Sequence, residues 1–449
     1  MSLPVVASLC CRAQVGLEAP LVQVEVTVTS GLPAFQLVGL PATVVRESRD
    51  RVRSALLSAG FEFPSGRIVV NLAPAEIPKE GGRFELPIAV GIRAASHLQE
   101  VCRHVTGEEP LRVHSAWGRD RTPEQLSGTE PDVSDVRGQF QAKRALLIAA
   151  AGDHSLLMIG PPGCGKTMLA QRLPGLLPPL TATEALDCAA IASVSAAGFN
   201  MGSFGRRPFR SPHHTASAVS VVGGGAHARP GEISLAHHGV LFLDELPEFD
   251  RQVLEALREP LEAGIVRVAR AAAHADYPAE FQLIAAMNPC PCGHLGDPAG
   301  NCRCPPIQTE RYRARISGPL LDRLDMHIHV PRLEVGDFDD RIGRGESSAA
   351  LAARVTATRS RQLARQGRCN GRLTDAQIDR CCILQPTART LLDRTMKQLR
   401  FSGRTRQRIL KLARTIADLD GRDAIADTHV SEAVMLRCLD RERALAARQ

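Results

Sequence analysis

The feature that most constrains this chain is the stretch LLMIGPPGCGKTMLAQRL at residues 156–173. Four apolar residues lead directly into two prolines, three glycines and a lysine, and a pattern typical of an amphipathic helix follows from Lys166. A buried strand cannot continue through such a turn, whereas a loop that wraps an anion can. A chance glycine turn is the alternative, but strand, G-x-x-x-x-G-K-T and helix occur here in the order of a phosphate-binding loop. The chain is therefore predicted to bind a nucleoside triphosphate.

The residue types of this loop suit that chemistry. Its glycines let backbone N–H groups point at a phosphate chain, and the N-terminus of the following helix adds partial positive charge. Lys166 is predicted to reach the β- and γ-phosphates of ATP, and the Thr167 hydroxyl to bind Mg²⁺. The predicted nucleotide-binding residues are Gly160, Pro161, Pro162, Gly163, Cys164, Gly165, Lys166 and Thr167.

Length and composition set the broad class of the protein. A chain of 449 residues, 44% of them hydrophobic, is expected to form about three packed domains. No apolar run approaches the roughly 18–20 residues of a membrane span, and MSLPVVASLCC at the start lacks the regions of a signal peptide. Thirteen cysteines in such a chain are typical of reduced thiols or metal ligands. We expect a cytoplasmic protein with no membrane partner.

Charge is unevenly distributed along the chain. Residues 351–449 contain 21 Lys/Arg and 10 Asp/Glu, a net charge of +11, whereas the whole chain carries +7. This basic part suggests a polyanion partner, and a solvated helical surface explains the composition equally well. Aromatic residues make up only 4% of the chain, which argues against base-stacking platforms as the main binding device.

Two further apolar runs end in polar residues suited to catalysis. GVLFLDELPEF (239–249) places Asp244 and Glu245 at the carboxyl end of a predicted strand, where parallel sheets bind ligands. Asp244 is predicted to hold the Mg²⁺ shell and Glu245 to polarise the attacking water, although such an acidic pair is often only a helix start. FQLIAAMNPC (281–290) ends in Asn288, which can orient that water or serve as a simple turn residue.

Two arginines are candidates for stabilising charge on the transferred phosphoryl group. Arg323 lies in ISGPLLDRLD (316–325) and is predicted to act from a neighbouring subunit, the alternative being a surface pair with Asp322 or Asp325. SGRTRQRILKLARTIADLDG (402–421) is predicted to be a helix with Arg404 at its start, placed to reach back to the nucleotide. Arg408, one turn later, is the alternative to Arg404.

This order of elements resembles the AAA+ superfamily, and more narrowly its magnesium-chelatase-like branch. FRSPHHTASAVSVVGGGAHARPGEISLAHHGVLFLDELPEF (209–249) is similar to the hallmark of that branch. With NPCPCG, ISGPLLDRLD and RILKLARTIADLDG, nearly the whole chain resembles the YifB/ComM family, which includes a branch-migration helicase. The resemblance implies that Asn288 is sensor 1, Arg323 the arginine finger and Arg404 sensor 2. It also implies a ring, usually a hexamer, with ATP bound between subunits.

The N-terminal part resembles the Lon-protease-like domain, of the ribosomal S5 type, that opens this family. Where protease relatives carry a nucleophilic Ser, residues 79–87 read KEGGRFELP, so we predict no peptidase activity. About 40 residues of weak pattern (95–135) stand in place of further strands, so this domain is expected to be shortened. The predicted fold class is α/β. The chain is expected to contain four parts in order: an inactive Lon-protease-like α+β domain (1–115), a linker (116–134), an AAA+ P-loop ATPase core (135–333) and a C-terminal helical lid (334–449).

Two insertions are candidate contacts to a substrate. In similar ATPases such insertions face the ring channel, where arginines can track the phosphates of a nucleic acid without reading its sequence. Pairing of these arginines with neighbouring subunits is the alternative. The insertions are residues 203–236, with Arg206, Arg207, Arg210, His213, His214 and Arg229, and a predicted hairpin at 266–281, with Arg267 and Arg270.

Four cysteines follow Asn288 closely. CPCGHLGDPAGNCRC holds Cys290, Cys292, Cys302 and Cys304 as two C-x-C pairs around a Gly/Pro-rich loop. Four thiolates can close a tetrahedral Zn²⁺ site, and His294 can replace one of them. Because C-x-C is tighter than the usual spacing of zinc ligands, free thiols on a polar loop are the alternative. Cys381 and Cys382 are expected to be packing residues.

Three functions are compatible with these patterns. The first is an ATP-driven ring that acts on branched or single-stranded DNA without sequence specificity and migrates branches during recombination in natural transformation. The second is a magnesium-chelatase-type motor subunit, whose relatives generally lack the N-terminal domain and the cysteine cluster. The third is a regulatory ATPase that remodels protein. The basic C-terminal part favours the first of these functions.

Overall fold

The computed structural model describes residues 6–13, 19–39, 45, 48–58, 63–75, 79, 84–85, 87–90, 131–225, 228–270, 273–296, 302–333 and 345–446. It divides into two compact units, residues 1–125 and 126–449, which are described separately. Most of the predicted linker and residues 80–83 and 86 of KEGGRFELP lie outside the described residues. None of the described helices is both long and apolar enough to cross a lipid bilayer.

The strands, in chain order, are β1 (Val6–Arg12), β2 (Leu21–Thr29), β3 (Ala34–Val38), β4 (Arg67–Ala73), β5 (Leu156–Ile159), β6 (Phe209–Arg210), β7 (Gly223–Gly224), β8 (Arg229–Pro230), β9 (Val240–Leu243), β10 (Ile265–Arg270), β11 (Ala273–Pro278), β12 (Gln282–Met287) and β13 (Met326–His329).

The α-helices are α1 (Ser48–Ser58), α2 (Phe140–Gly152), α3 (Lys166–Arg172), α4 (Ala182–Ser193), α5 (Ala218–Val222), α6 (Glu232–Leu235), α7 (Arg251–Ala256), α8 (Arg258–Ala263), α9 (Pro306–Ala314), α10 (Gly318–Leu321), α11 (Ser348–Gln366), α12 (Asp375–Cys381), α13 (Pro386–Leu399), α14 (Gly403–Leu419), α15 (Asp427–Met435) and α16 (Cys438–Ala446).

The N-terminal unit contains a four-stranded mixed sheet in the order β1-β2-β4-β3. β1 and β4 pair with β2 antiparallel, whereas β3 pairs with β4 parallel. Alternate residues of β2 and β4 are buried, and Val52 and Leu56 of α1 belong to the same core. Period-two alternation is what a strand with one buried face requires. The sequence patterns predict strands at residues 21–30 and 66–74 and a helix at 47–60, and all three are confirmed within two residues at each end.

The second unit is built on a five-stranded parallel sheet in the order β13-β5-β12-β9-β6. Every residue of β5, β9 and β12 is buried, as expected for strands covered on both faces. All five strands point the same way, so their carboxyl ends form one edge of the sheet. The opposite edge carries their amino ends.

Helices of the C-terminal part share the core of this sheet. One hydrophobic cluster joins α2 and β5 to Leu351 and Val355 of α11 and to Ile409, Leu412 and Ile416 of α14. The predicted helix at 402–421 is confirmed as α14, whose middle is almost entirely buried. Helical patterns dominate the sequence from about residue 349 onward, and the described residues there do form mainly helices, α11 to α16.

Candidate active site

The predicted nucleotide-binding and acidic residues meet at the carboxyl edge of the parallel sheet. The phosphate-binding loop follows β5, Asp244 and Glu245 follow β9, and Asn288 follows β12. Because β12 lies between β5 and β9, the ends of these three strands are neighbours. Such an edge is where open parallel sheets bind their ligands.

Lys166 and Thr167 link the loop to the polar residues of the other two strands. The Lys166 Nζ donates to the carbonyl oxygens of Gly160 at 2.7 Å and Pro161 at 2.9 Å, and to Asn288 Oδ1 at 3.3 Å. The Thr167 hydroxyl donates to Asp244 Oδ2 at 2.7 Å. The lysine ammonium suits the phosphates of a nucleoside triphosphate, and the threonine hydroxyl and aspartate carboxylate are oxygen ligands that suit Mg²⁺.

The backbone of the loop supports this assignment. Gly163 and Gly165 have φ of 79° and 94°, a region that L side chains rarely adopt. Two left-handed residues on either side of Cys164 turn successive N–H groups toward one side of the loop, which is the geometry of an anion nest. The loop can therefore present several donors to a phosphate group.

Glu245 has a partner that the sequence analysis did not assign to it. Its backbone is left-handed, with φ of 52°, and its Oε2 lies 3.1 Å from the Nδ1 of His214. His214 comes four residues after β6, the edge strand next to β9. In the sequence, His214 stands out only as one of several Arg and His residues in the insertion at 203–236. The sequence offers one signal for this contact, which is that His214 follows a short strand; in the sheet this strand, β6, lies beside β9.

Gln139 is a second residue of the site that no sequence pattern marks. It precedes α2 with φ of 50°, and its buried side chain donates to Cys164 O at 3.1 Å and to Pro331 O at 2.8 Å. It therefore ties the phosphate-binding loop to the residues that follow β13.

Arg323 lies at the opposite edge of the sheet from Lys166. It precedes β13 by three residues, and its carbonyl oxygen accepts from the Ser155 hydroxyl, just before β5, at 3.4 Å. A four-residue strand, about 13 Å at 3.3 Å per residue, separates this level from the phosphate-binding loop. Its guanidinium pairs with Glu262 at 2.6 Å and donates to Pro319 O at 2.7 Å, rather than pairing with Asp322 or Asp325.

A buried polar cluster at the same edge fixes the course of α14. Asp325 accepts from Arg408 Nη1 at 2.7 Å and contacts His154 Nδ1 at 3.2 Å, and His154 Nε2 lies 2.7 Å from the Thr415 hydroxyl. Burial opposes ionisation of Asp325, yet the nearby Arg408 guanidinium holds the pKa of this carboxyl far below its ordinary value. Arg408 and Thr415 are two turns apart, so α14 runs across the amino-terminal edge of the sheet.

Arg404 is one turn, about 6 Å, before Arg408. Its side chain is exposed and forms no hydrogen bond or ion pair with any residue that the structure describes. α14 crosses the edge opposite the phosphate-binding loop, and Arg404 lies on it one turn before the Arg408–Asp325 contact. That Arg404 acts on a bound nucleotide stays a prediction. Arg408, the alternative, is engaged by Asp325.

Most arginines of the two insertions have partners within the chain. Arg207 donates to Pro178 O and His238 O, and Arg210 forms two hydrogen bonds with Glu232 at 2.6 and 2.7 Å. Arg229 is exposed. The predicted hairpin is confirmed as β10 and β11, paired from Ile265 with Pro278 to Arg270 with Ala273. Arg267 pairs with Glu259 at 3.2 Å, while the side chain of Arg270 lies outside the described ones.

The four cysteines of the predicted metal cluster come together beside Asn288. The Sγ atoms of Cys290, Cys292, Cys302 and Cys304 all lie within 4.8 Å of one another. Cys381 and Cys382 are buried, as expected for packing residues.

Comparison with known families agrees with this geometry. The family model described as magnesium chelatase, subunit ChlI, matches residues 132–338, and the models for subunit ChlI of Mg-chelatase and for its C-terminal part match residues 24–108 and 345–437. The three matches cover both units of the chain and include the phosphate-binding loop, both acidic residues, Asn288 and Arg404.

Similar proteins are found along nearly the whole chain. The uncharacterized proteins YifB of Salmonella typhimurium and Escherichia coli are each 44% identical, and competence protein ComM of Haemophilus influenzae is 42% identical. Each alignment covers 98% of this chain and 98% of the relative. The alignments span 506 or 507 positions against 449 residues here, so the relatives contain residues that this chain lacks. The chain therefore belongs to the YifB/ComM family of magnesium-chelatase-like AAA+ ATPases.

Proposed function

We propose that this chain is one protomer of an ATP-driven ring, a hexamer, that migrates branched DNA during recombination of incoming strands. The observation that carries the proposal is the division of the candidate residues between two edges of one sheet. Lys166, Asp244 and Glu245 lie at the carboxyl edge, and Arg323 lies at the amino edge. Hydrolysis with both sets of residues then requires the carboxyl edge of one protomer to face the amino edge of the next.

Each residue has a proposed role at that seam between protomers. Lys166 neutralises the β- and γ-phosphates, and Thr167 and Asp244, 2.7 Å apart, are the residues that would hold Mg²⁺. The ion shields the phosphate charge when it is bound. Glu245 accepts a proton from the attacking water, and Asn288 orients that water.

The neighbouring protomer supplies the cationic groups. Arg323 stabilises charge on the transferred phosphoryl group, and it must exchange Glu262 for the phosphate when the seam closes. Glu262 is 56% exposed whereas the Arg323 side chain is 10% exposed, so the exchange also requires the Arg323 guanidinium to become accessible to the phosphate. Arg404 lies at the same edge and acts on the same neighbouring nucleotide, in place of the nucleotide of its own protomer.

Two observations support DNA as the substrate of the motor. A relative that is 42% identical is named competence protein ComM, and we extend that role to this chain. Four basic residues are exposed on α13 and in the turn after it: Arg389, Arg394, Lys397 and Arg400. The acidic residue of this helix is Asp393. These four cations form no ion pair with any described residue. They can therefore contact the phosphates of a nucleic acid.

Arg207 and Arg210 already bind partners within the chain, so we do not propose that these two arginines contact DNA. Arg229, Arg267 and Arg270 remain candidates for the ring channel, and the cations of α13 form a second contact surface. Neither surface reads bases, because arginine and lysine contacts to phosphates carry no sequence information. The proposed N-terminal Lon-protease-like domain, without a Ser in residues 79–87, contributes no peptidase activity.

ATP hydrolysis measured with and without forked DNA tests this function. We expect several-fold stimulation by forked DNA at low salt, and branch migration that depends on ATP. Replacing Arg394 and Lys397 by Ala is expected to reduce the slope of log affinity against log salt by about 1–2. The matched control replaces Arg368 and Arg380, two exposed arginines outside α13, and leaves that slope unchanged.

Absence of both stimulation and DNA binding at low salt would contradict the proposal. Hydrolysis that DNA does not affect would instead favour the magnesium-chelatase-type motor or the protein-remodelling ATPase.

A further inference from the structure

The cysteine cluster lies directly after the strand that carries Asn288. Cys290 and Cys292 follow β12, and Cys302 and Cys304 precede α9. The described part of the segment between β12 and α9 contains no α-helix or strand. Pro289, Cys290 and Gly293 of this segment are buried, while Cys292, Leu295 and Arg303 are exposed. Hydrophobic packing alone therefore provides little to hold this segment in place.

The distances between the sulfur atoms are those of a single tetrahedral ion. The Sγ of Cys290 lies 3.4 Å from that of Cys292 and 3.7 Å from that of Cys302, and the latter two are 3.7 Å apart. A tetrahedron with Zn–S bonds of about 2.3 Å has edges of about 3.8 Å. A disulfide requires about 2.05 Å, so these separations are not those of bonded pairs.

We propose that Cys290, Cys292, Cys302 and Cys304 bind one structural Zn²⁺ as four thiolates. Each thiol releases its proton to solvent when the ion binds, and the resulting four-sulfur site is closed to water and substrate. The ion then joins the two ends of the segment, residues 290–292 and 302–304. A single zinc ion fits better than an iron–sulfur cluster, because four sulfurs that surround several metal atoms must lie farther apart.

The zinc-binding segment contacts the phosphate-binding loop. Gly293 has φ of 84°, and a Cβ at this position would lie 2.7 Å from Pro162 Cδ and 3.9 Å from Asn288 Cγ. The turn after Cys292 is thus packed against both the loop and the Asn288 side chain. The ion is therefore a positioning element for the nucleotide site, a step that rests on the proposed ATPase function, whereas zinc binding itself does not.

Metal analysis of the full-length protein, purified without chelator or added metal, tests the zinc site directly. We expect about one zinc per protomer in the wild type and less than about 0.2 in Cys302→Ser, since losing one ligand of a structural site weakens zinc binding strongly. Cys369→Ser, which removes a thiol outside the cluster, serves as the matched control and retains its zinc.

Two results would overturn the zinc site. One is folded wild-type protein that contains no zinc, or contains iron in its place. The other is a zinc content that is the same in Cys302→Ser and in the wild type. A mercurial reagent titrated into the wild type provides a measurement that does not depend on folding of the variant, and it should release one zinc as the cluster thiols react.

Gly293→Ala tests the positioning role separately. The added Cβ meets Pro162 at a backbone conformation unfavourable for Ala, so ATP affinity should fall roughly fivefold or more while zinc content stays at one per protomer. Unchanged ATP affinity would contradict the positioning role and leave the zinc site intact. Zinc binding without any ATP hydrolysis in the wild type would instead contradict the proposed function.

Discussion

At the scale of single residues, different side chains are proposed to bind ATP and to cleave it. Lys166 contacts the loop and Asn288, whereas Glu245 projects from a different strand and contacts neither group among the described residues. Lys166→Ala is expected to abolish ATP binding, because it removes the cation that neutralises the phosphates. Glu245→Gln should retain binding and lower the hydrolysis rate by about 10²–10⁴-fold, the usual contribution of a general base.

Binding of a fluorescent ATP analogue and release of phosphate measure the two properties separately. Normal hydrolysis by Glu245→Gln would show that another group activates the water. Tight ATP binding by Lys166→Ala would show that the loop does not hold the nucleotide in the way described.

His214 gives a second prediction at this scale. It contacts Glu245 at 3.1 Å and restrains its carboxylate, so His214→Ala should raise hydrolysis in the absence of DNA. A partly exposed pair contributes roughly 0.2–1 kcal/mol, which corresponds to about a 1.4- to 5-fold increase. The rate with forked DNA should change less, so the stimulation ratio falls. His213→Ala, which alters the adjacent imidazole, is the control, and an equal loss of both rates in His214→Ala would contradict a restraining role.

The contrast between Lys166 and Gln139 shows which site residues a sequence can reveal. Lys166, Thr167 and Asp244 occur in local patterns whose spacing is set by the chemistry of phosphate binding. Gln139 contacts Cys164 and Pro331, which are 25 and 192 residues away, and no local pattern marks it. His214 similarly meets Glu245 only because β6 lies beside β9 in the sheet.

At the scale of elements, α14 is held to the sheet by a buried charge pair. Removing one partner of such a pair leaves the other uncompensated, so Asp325→Asn is expected to lower the free energy of unfolding by about 3–5 kcal/mol. The pKa of Asp325 is lowered in the folded chain, so its stabilising contribution is complete above the ordinary value of 3.8 and is lost at lower pH.

Urea unfolding of the two proteins at several pH values measures this effect. The difference between wild type and Asp325→Asn should be constant near neutral pH and shrink as the pH falls below 3.8. Asp379→Asn, an exposed substitution in α12, serves as the control. Equal stability of Asp325→Asn and wild type at neutral pH would show that the Asp325–Arg408 pair does not stabilise the folded protein.

Helical periodicity correctly predicted α14, but it could not predict the edge of the sheet that the helix crosses. That direction depends on Arg408 meeting Asp325 and on Thr415 meeting His154, contacts between residues 83 and 261 positions apart. The position of Arg404 at the amino edge follows from these contacts. Sequence reasoning therefore identified the residue as basic and helical, and it could not identify which nucleotide the residue serves.

At the scale of the whole molecule, the account depends on one protomer completing the site of the next. A mixture of Glu245→Gln and Arg323→Ala chains tests this dependence, because each variant lacks a different half of the seam. Both variants keep Lys166 and are expected to bind ATP and assemble. In a random equal mixture, about a quarter of the seams combine an intact acidic pair with an intact Arg323.

ATP hydrolysis by this mixture is the most direct measurement of the central claim. The account predicts that each variant alone is nearly inactive and that the mixture recovers up to about a quarter of the wild-type rate. Mixing must precede assembly, and ring size should match that of the wild type. A mixture no more active than its separate components, in rings of normal size, would show that Arg323 does not act on the nucleotide of a neighbouring protomer.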